Sequence, residues 1–106
     1  RVTRTGRLGP VATAVTVTPG RIGPNVVRVR LRQAGRAFTG AKELKAQATL
    51  PARGVVLPVT LRRVGPGLYI SRGLQLLPDG RWRLSVALRV SAFDEYTGDF
   101  TVPVAP

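Results

Sequence analysis

The sequence predicts an all-β fold: an immunoglobulin-like (Ig/fibronectin-type), seven-stranded antiparallel β-sandwich. Three observations carry this reading. From Arg81 to Val90 the chain alternates without a break, with Trp82, Leu84, Val86, Leu88 and Val90 on one side and Arg81, Arg83, Ser85, Ala87 and Arg89 on the other. Period two over that length marks a strand with one buried face. Valine, leucine and threonine are frequent, and twelve glycines and nine prolines interrupt the chain at short intervals. Seven apolar runs follow one another with turn signals every ~8 to 12 residues, the spacing of a sandwich, with a small barrel as the alternative.

A chain of 106 residues makes one domain with a modest core. Residues 1–9, RVTRTGRLG, show no periodicity and hold three arginines; they read as a flexible basic linker, leaving residues 10–106 as the sandwich domain. Val11–Thr18 is the first predicted strand, with Val11, Thr13, Val15 and Val17 inward. Breaks at Pro19-Gly20 and Gly23-Pro24-Asn25 follow. Val26–Arg32 is the second, with Val27, Val29 and Leu31 inward and Arg28, Arg30 and Arg32 outward. Ala41–Leu50 has helical propensity, but Leu44, Ala46, Ala48 and Leu50 alternate and Pro51 stops the run, so a third strand is expected. Val55–Arg63 is the fourth, with Val59 and Leu61 inward; Pro58 argues for a sheet edge.

After the turn Gly65-Pro66-Gly67, Leu68–Leu76 forms a fifth strand whose alternation fails at Arg72-Gly73, where a bulge is expected. Tyr69 is its best inward candidate. The sixth strand follows the turn Pro78-Asp79-Gly80 and should lie in the interior of a sheet. The seventh, Glu95–Pro103, turns Tyr96, Phe100 and Val102 inward. Strands six and seven should pair as a hairpin, and parity then puts Tyr96 opposite Leu88 or Val90. The first register places Arg89 opposite Glu95, an exposed ion pair worth at most ~1 kcal/mol.

The same residues exclude much chemistry. Histidine, cysteine and methionine are absent, so the usual general bases and nucleophile pairs near neutral pH are missing. Lys42 and Lys45 read as solvated surface residues, and no enzymatic activity is expected. Soft-metal and imidazole sites are excluded on the same composition. Asp94-Glu95 with Asp99 offers oxygen ligands only, and adjacent strand residues point apart; a turn residue and a cross-strand charge pair are expected in place of a Ca²⁺ site. No catalytic residue, cofactor or metal ligand is assigned. No apolar run of about 18 residues is present to cross a membrane as a helix. The start at Arg1 fits a piece of something longer, whose other parts could hold targeting or membrane segments.

What remains is charge. Fifteen arginines and two lysines against five acids give +12, a balance that favours anionic partners; a compositional bias toward arginine is the competing reading. The candidate anionic-surface contacts are two stripes, Arg28, Arg30 and Arg32, and Arg81, Arg83 and Arg89, expected on opposite outer faces of the sandwich. A nucleic-acid binder gathers charge on one face among exposed aromatics. Here Phe38, Tyr69, Trp82, Phe93, Tyr96 and Phe100 fall mostly on inward or turn positions. Acidic lipid fits such a surface, each near-surface basic residue adding ~1 kcal/mol.

Several turn and core positions together resemble a known family. Gly67-Leu68-Tyr69, Leu76-Leu77-Pro78, Gly80-Arg81-Trp82, Val86, Arg89-Val90, Phe93-Asp94-Glu95, Phe100 and Val102-Pro103-Val104 follow in order, with Pro19-Gly20 and Gly23-Pro24-Asn25 ahead of the Arg28-Val29-Arg30 strand. This resembles the YtkA-like domain found at the C-terminus of CopD-type and CopC/CopD-fusion copper proteins of Gram-positive bacteria, over residues 11 to 104. The resemblance implies an extracytoplasmic β-sandwich tethered to a polytopic membrane protein of copper transport or resistance, with the arginine-rich start as the linker from the last membrane helix. A copper-handling domain would offer His, Met or Cys, and this chain has none. The resemblance therefore implies an accessory domain that contacts the membrane-embedded part of its parent, a copper-handling partner or anionic lipid, without holding the ion. A basic nucleic-acid-binding β-domain is the runner-up. An adhesion or carbohydrate-binding sandwich, which would expose Trp82 or Tyr69, is the third reading.

Overall fold

Alternation decides which side of each strand is buried. Val11, Val15, Val17, Val27 and Val29, each spaced by a polar or small neighbour, are at most 2% exposed. The computed structural model describes residues 1–106 as ten strands. They are β1 (Val2–Leu8), β2 (Val11–Thr18), β3 (Gly23–Gln33), β4 (Arg36–Ala37), β5 (Glu43–Leu50), β6 (Val55–Val59), β7 (Arg62–Gly65), β8 (Leu68–Leu76), β9 (Gly80–Arg89) and β10 (Glu95–Val104). Two antiparallel sheets result. The larger runs β1-β2-β3-β8-β7, with β4 added at one end of β3; the smaller runs β10-β9-β5-β6. Their apolar faces meet in one core, as an immunoglobulin-like sandwich requires. No helix is long and apolar enough to cross a membrane.

Most of the expected inward residues form the observed core, while Ala46, Leu61, Tyr69, Val90 and Tyr96 are half-buried against it. Trp82, Leu84, Val86 and Leu88 of β9 are at most 3% exposed, and Phe100 and Val102 of β10 at most 5%. β9 lies between β10 and β5. Glu43–Leu50 is a strand, as the alternation from Leu44 to Leu50 requires, and a single 3₁₀ turn at Pro51–Arg53 follows it. In the β9–β10 hairpin Tyr96 faces Leu88 and Glu95 faces Arg89. Buried polar groups are partnered: the Asn25 side chain accepts from the Gly20 N–H at 2.8 Å and donates to the carbonyls of Arg21 and Gly23. The bulge in β8 is where the alternation fails, since Asn25 opposes Leu74 and Val27 opposes Ser71. That leaves Arg72 and Gly73 against Val26 alone.

Three expectations change. The chain has ten strands, not seven. Residues 1–9 are not a linker: β1 pairs with β2 from Val2–Val17 to Leu8–Val11. Most of its side chains are exposed and only Leu8 is buried, so no apolar alternation betrays it. The sandwich therefore starts at Val2. Its free edge closes the side of the sandwich against β10, where the Arg4 guanidinium donates to the Thr101 carbonyl at 2.9 Å. Lastly, Val55–Arg63 is two strands. β6 pairs with β5 in the smaller sheet and β7 with β8 in the larger, and the chain crosses between sheets at Thr60-Leu61. Pro58 does lie in an edge strand, β6.

Candidate anion-binding face

In a sheet, residues opposite one another on adjacent strands share a face. The registers of the larger sheet therefore define rows across its outer surface. One runs Thr3, Thr16, Arg28, Ile70, Arg62; the next runs Thr5, Ala14, Arg30, Leu68; a third runs Arg7, Ala12, Arg32, Ala37. Arg28, Arg30 and Arg32 thus stand in file down β3 near the middle of the sheet, all exposed, with side chains ~7 Å apart along the strand. Arg62 flanks the file on one side and Arg7 on the other. Between the arginines lie threonine and alanine, which are short. A shallow depression of about 510 Å³ over Ala14, Thr16 and Thr18 borders Arg28 and Arg30.

The distribution of acids makes this face distinctive. The larger sheet carries nine arginines: 4 and 7 on β1, 28, 30 and 32 on β3, 36 on β4, 62 and 63 on β7, and 72 on β8. It carries no aspartate or glutamate. Glu43, Glu95 and Asp99 lie on the smaller sheet, and Asp79 and Asp94 lie immediately before β9 and β10. Every ion pair of the molecule is also on the smaller sheet. Arg89 bonds Glu95 at 2.7 Å and approaches Glu43 at 3.8 Å, and Lys45 lies 3.5 Å from Glu43.

The two arginine stripes are therefore on opposite outer faces, as expected, but they are not equivalent. Arg28, Arg30 and Arg32 have no carboxylate partner. Arg32 donates only to the Gly35 carbonyl, at 2.9 Å. Arg89 is half-buried between two glutamates and its charge is neutralised. Arg81 and Arg83 are exposed on the smaller sheet, Arg83 beside Thr49 and Thr101. The structure joins Arg7 and Arg62 to the first stripe; the sequence reading missed both. A signal was available: the first 42 residues contain no acid, and neither do residues 44–78.

The other singled-out residues are structural. Asp94 caps a tight turn, accepting from the Ser91 hydroxyl at 2.9 Å, while that hydroxyl oxygen accepts from the Phe93 and Asp94 N–H groups. Glu95 takes the cross-strand pair with Arg89. The carboxylates form no group of three. Trp82 is 1% exposed, so the indole that a sugar-stacking platform would present is in the core, and Tyr69 is half-buried beside Val29. Phe93, at the tip of the β9–β10 turn, is 96% exposed.

The architecture defines a class, the two-sheet immunoglobulin-like sandwich. No protein-family model matches this chain, and no curated protein matches it. Among solved structures it is similar to a DUF4426 family protein from Pseudomonas aeruginosa, at 15% identity over 97% of each chain, with a TM-score of 0.75. It is also similar to part of a DUF4785 family protein from Legionella pneumophila, at 11% identity and a TM-score of 0.67. That match covers 91% of this chain and 29% of the other. At these identities the likeness is one of fold. None of these comparisons supports the expected YtkA-like or CopD relationship.

Proposed function

We propose that this chain is a non-enzymatic binding module that settles on an anionic surface, the headgroup layer of an acidic membrane, through the outer face of its larger sheet. The observation that supports the reading is the acid-free face built on Arg28, Arg30 and Arg32, flanked by Arg7 and Arg62, on a sheet with nine arginines and no carboxylate. The strands hold these guanidiniums without ion pairs; Arg7 and Arg32 each donate one bond to a backbone carbonyl, of Pro10 and Gly35, and the remaining donors are free for phosphate or carboxylate oxygens. Taken with the YtkA-like turns and core positions, the role is that of an extracytoplasmic accessory domain of a CopD-like copper transport or resistance protein. It is tethered through its parent and acts by membrane or protein contact. With no histidine, cysteine or methionine, the chain has no side chain suited to hold copper.

The test is sedimentation with vesicles of pure phosphatidylcholine and of phosphatidylcholine mixed with phosphatidylglycerol. Binding is expected only to the acidic vesicles. At ~1 kcal/mol per near-surface arginine, the R28A/R30A/R32A variant should lose about two orders of magnitude of affinity. The R81A/R83A variant should lose less than about a third of that free energy. Equal binding to both vesicle types would overturn the reading. Affinity for single-stranded DNA well above that for acidic vesicles, steeply salt-dependent, would move the face to nucleic acid. Stoichiometric copper binding at micromolar or lower concentration would overturn the accessory role.

A further inference from the structure

We propose that a cleft at the opposite edge of the larger sheet from β1 binds an extended acidic segment of another protein as an added β-strand. β8 is nine residues long, yet β7 covers only Leu68–Ile70 of it. Upstream of Arg62 the chain leaves this sheet and becomes β6 of the other. The flank of Ser71–Leu76 that a longer β7 would occupy has no strand beside it, because these residues pair with β3 alone. The vacated place is a cleft of about 530 Å³, bounded by Leu57 and Pro58 on one side and by β8 on the other, with Arg62 and Arg72 at its rim. Six residues of open edge run ~20 Å, the length of an ordinary strand.

Such an edge offers backbone N–H and C=O groups that another chain can pair with. At the bulge this backbone is uncovered. Gly73 has φ +75°, and a Cβ placed there would meet nothing within 4 Å. Charge selects the occupant. Arg62 and Arg72 face the cleft, none of its lining residues is acidic, and neither arginine has an ion-pair partner. A second copy of this chain, at +12, would bring repulsion and its own arginine-lined edge. An extended peptide with acidic side chains meets both demands at once: main-chain pairing along Ser71–Leu76, and carboxylates for the two guanidiniums.

The probe is a synthetic peptide of about eight residues that alternates aspartate with valine or threonine. Two controls accompany it: one with lysine in place of aspartate, and one N-methylated on alternate amides, which cannot pair as a strand. Binding is followed by amide chemical shifts and hydrogen exchange of the ¹⁵N-labelled protein. The acidic peptide should shift the amides of Ser71–Leu76 and protect those whose N–H points away from β3. Affinity should fall at least ~10-fold on N-methylation and in the R62A/R72A variant, and be lost with the lysine peptide. The R28A/R30A/R32A variant should bind it within about two-fold, which separates this site from the Arg28–Arg32 file, Arg62 alone bordering both. N-methylation leaves the protein untouched, so a misfolded variant cannot imitate the result. Binding that survives N-methylation, shifts confined to the Arg28–Arg32 face, or protection by single-stranded DNA but not by peptide would each overturn the proposal, as would no binding at millimolar peptide.

Discussion

The indole N–H of Trp82 donates to the carbonyl oxygen of Pro78 at 2.9 Å, four residues back along the chain. The largest buried side chain is thus tied to the turn that starts its own strand. Its ring fills the space between the sheets while its one polar atom is satisfied locally. Trp82→Ala should cost ~3–5 kcal/mol by loss of burial and the cavity left behind. Trp82→Phe keeps part of the packing but strands the Pro78 carbonyl, and should cost ~1–3 kcal/mol. Urea unfolding measures both; a cost below ~1 kcal/mol for the alanine variant would place the ring at the surface.

Leu8 discriminates a structural β1 from a basic tail. It is fully buried at the end of that strand. Leu8→Ala should cost ~2–4 kcal/mol, where a linker residue would change stability by less than ~0.5 kcal/mol. Denaturant midpoints of this variant and of the neighbouring exposed Thr5→Ala give the contrast.

Two left-handed glycines should respond differently to the same added methyl group. At Gly67 φ is +64° and a Cβ would lie 2.5 Å from the Leu31 carbonyl oxygen, so backbone strain and a backbone clash combine. At Gly73 φ is +75° with open space around it, so only the strain applies. Gly73→Ala should cost ~1–2 kcal/mol and Gly67→Ala distinctly more. Calorimetric melting of the pair reads the difference.

Arg89 sits between Glu95 and Glu43 on the outer face of the smaller sheet. All three side chains are substantially solvated, so Arg89→Ala should cost no more than ~1 kcal/mol. The cost should shrink in 1 M NaCl, where screening length drops to ~3 Å. A salt-independent loss would mean that the aliphatic stem, not the charge, matters.

The parts of the fold legible in the sequence are those where one face of a strand meets the core and the other meets water. β2, β3 and β9 satisfy that condition, and their inward residues follow from parity; parity left two registers for the β9–β10 hairpin, and the structure takes the one that pairs Arg89 with Glu95. β1 does not, because an edge strand with one buried side chain leaves no period to read. The β6–β7 crossing is hidden for the opposite reason. Val59 and Leu61 both turn toward the core, and alternation toward a shared core does not reveal which sheet each belongs to. For the candidate face, the Arg28–Arg32 file was legible from its spacing. Its contrast with the second stripe was not, because Glu43 reaches Arg89 only through the β5–β9 pairing, 46 positions apart in the chain.

The separation of charge between the sheets makes the domain an electric dipole. Its positive pole lies toward β3, and the smaller sheet, where Glu43, Glu95 and Asp99 offset most of the positive charge, is the less positive side. Within a Debye length of a charged boundary, ~8–10 Å in physiological salt, such a dipole feels a torque before any side chain touches. The molecule would then arrive already turned, with the outer face of β9 presented to whatever lies on the far side.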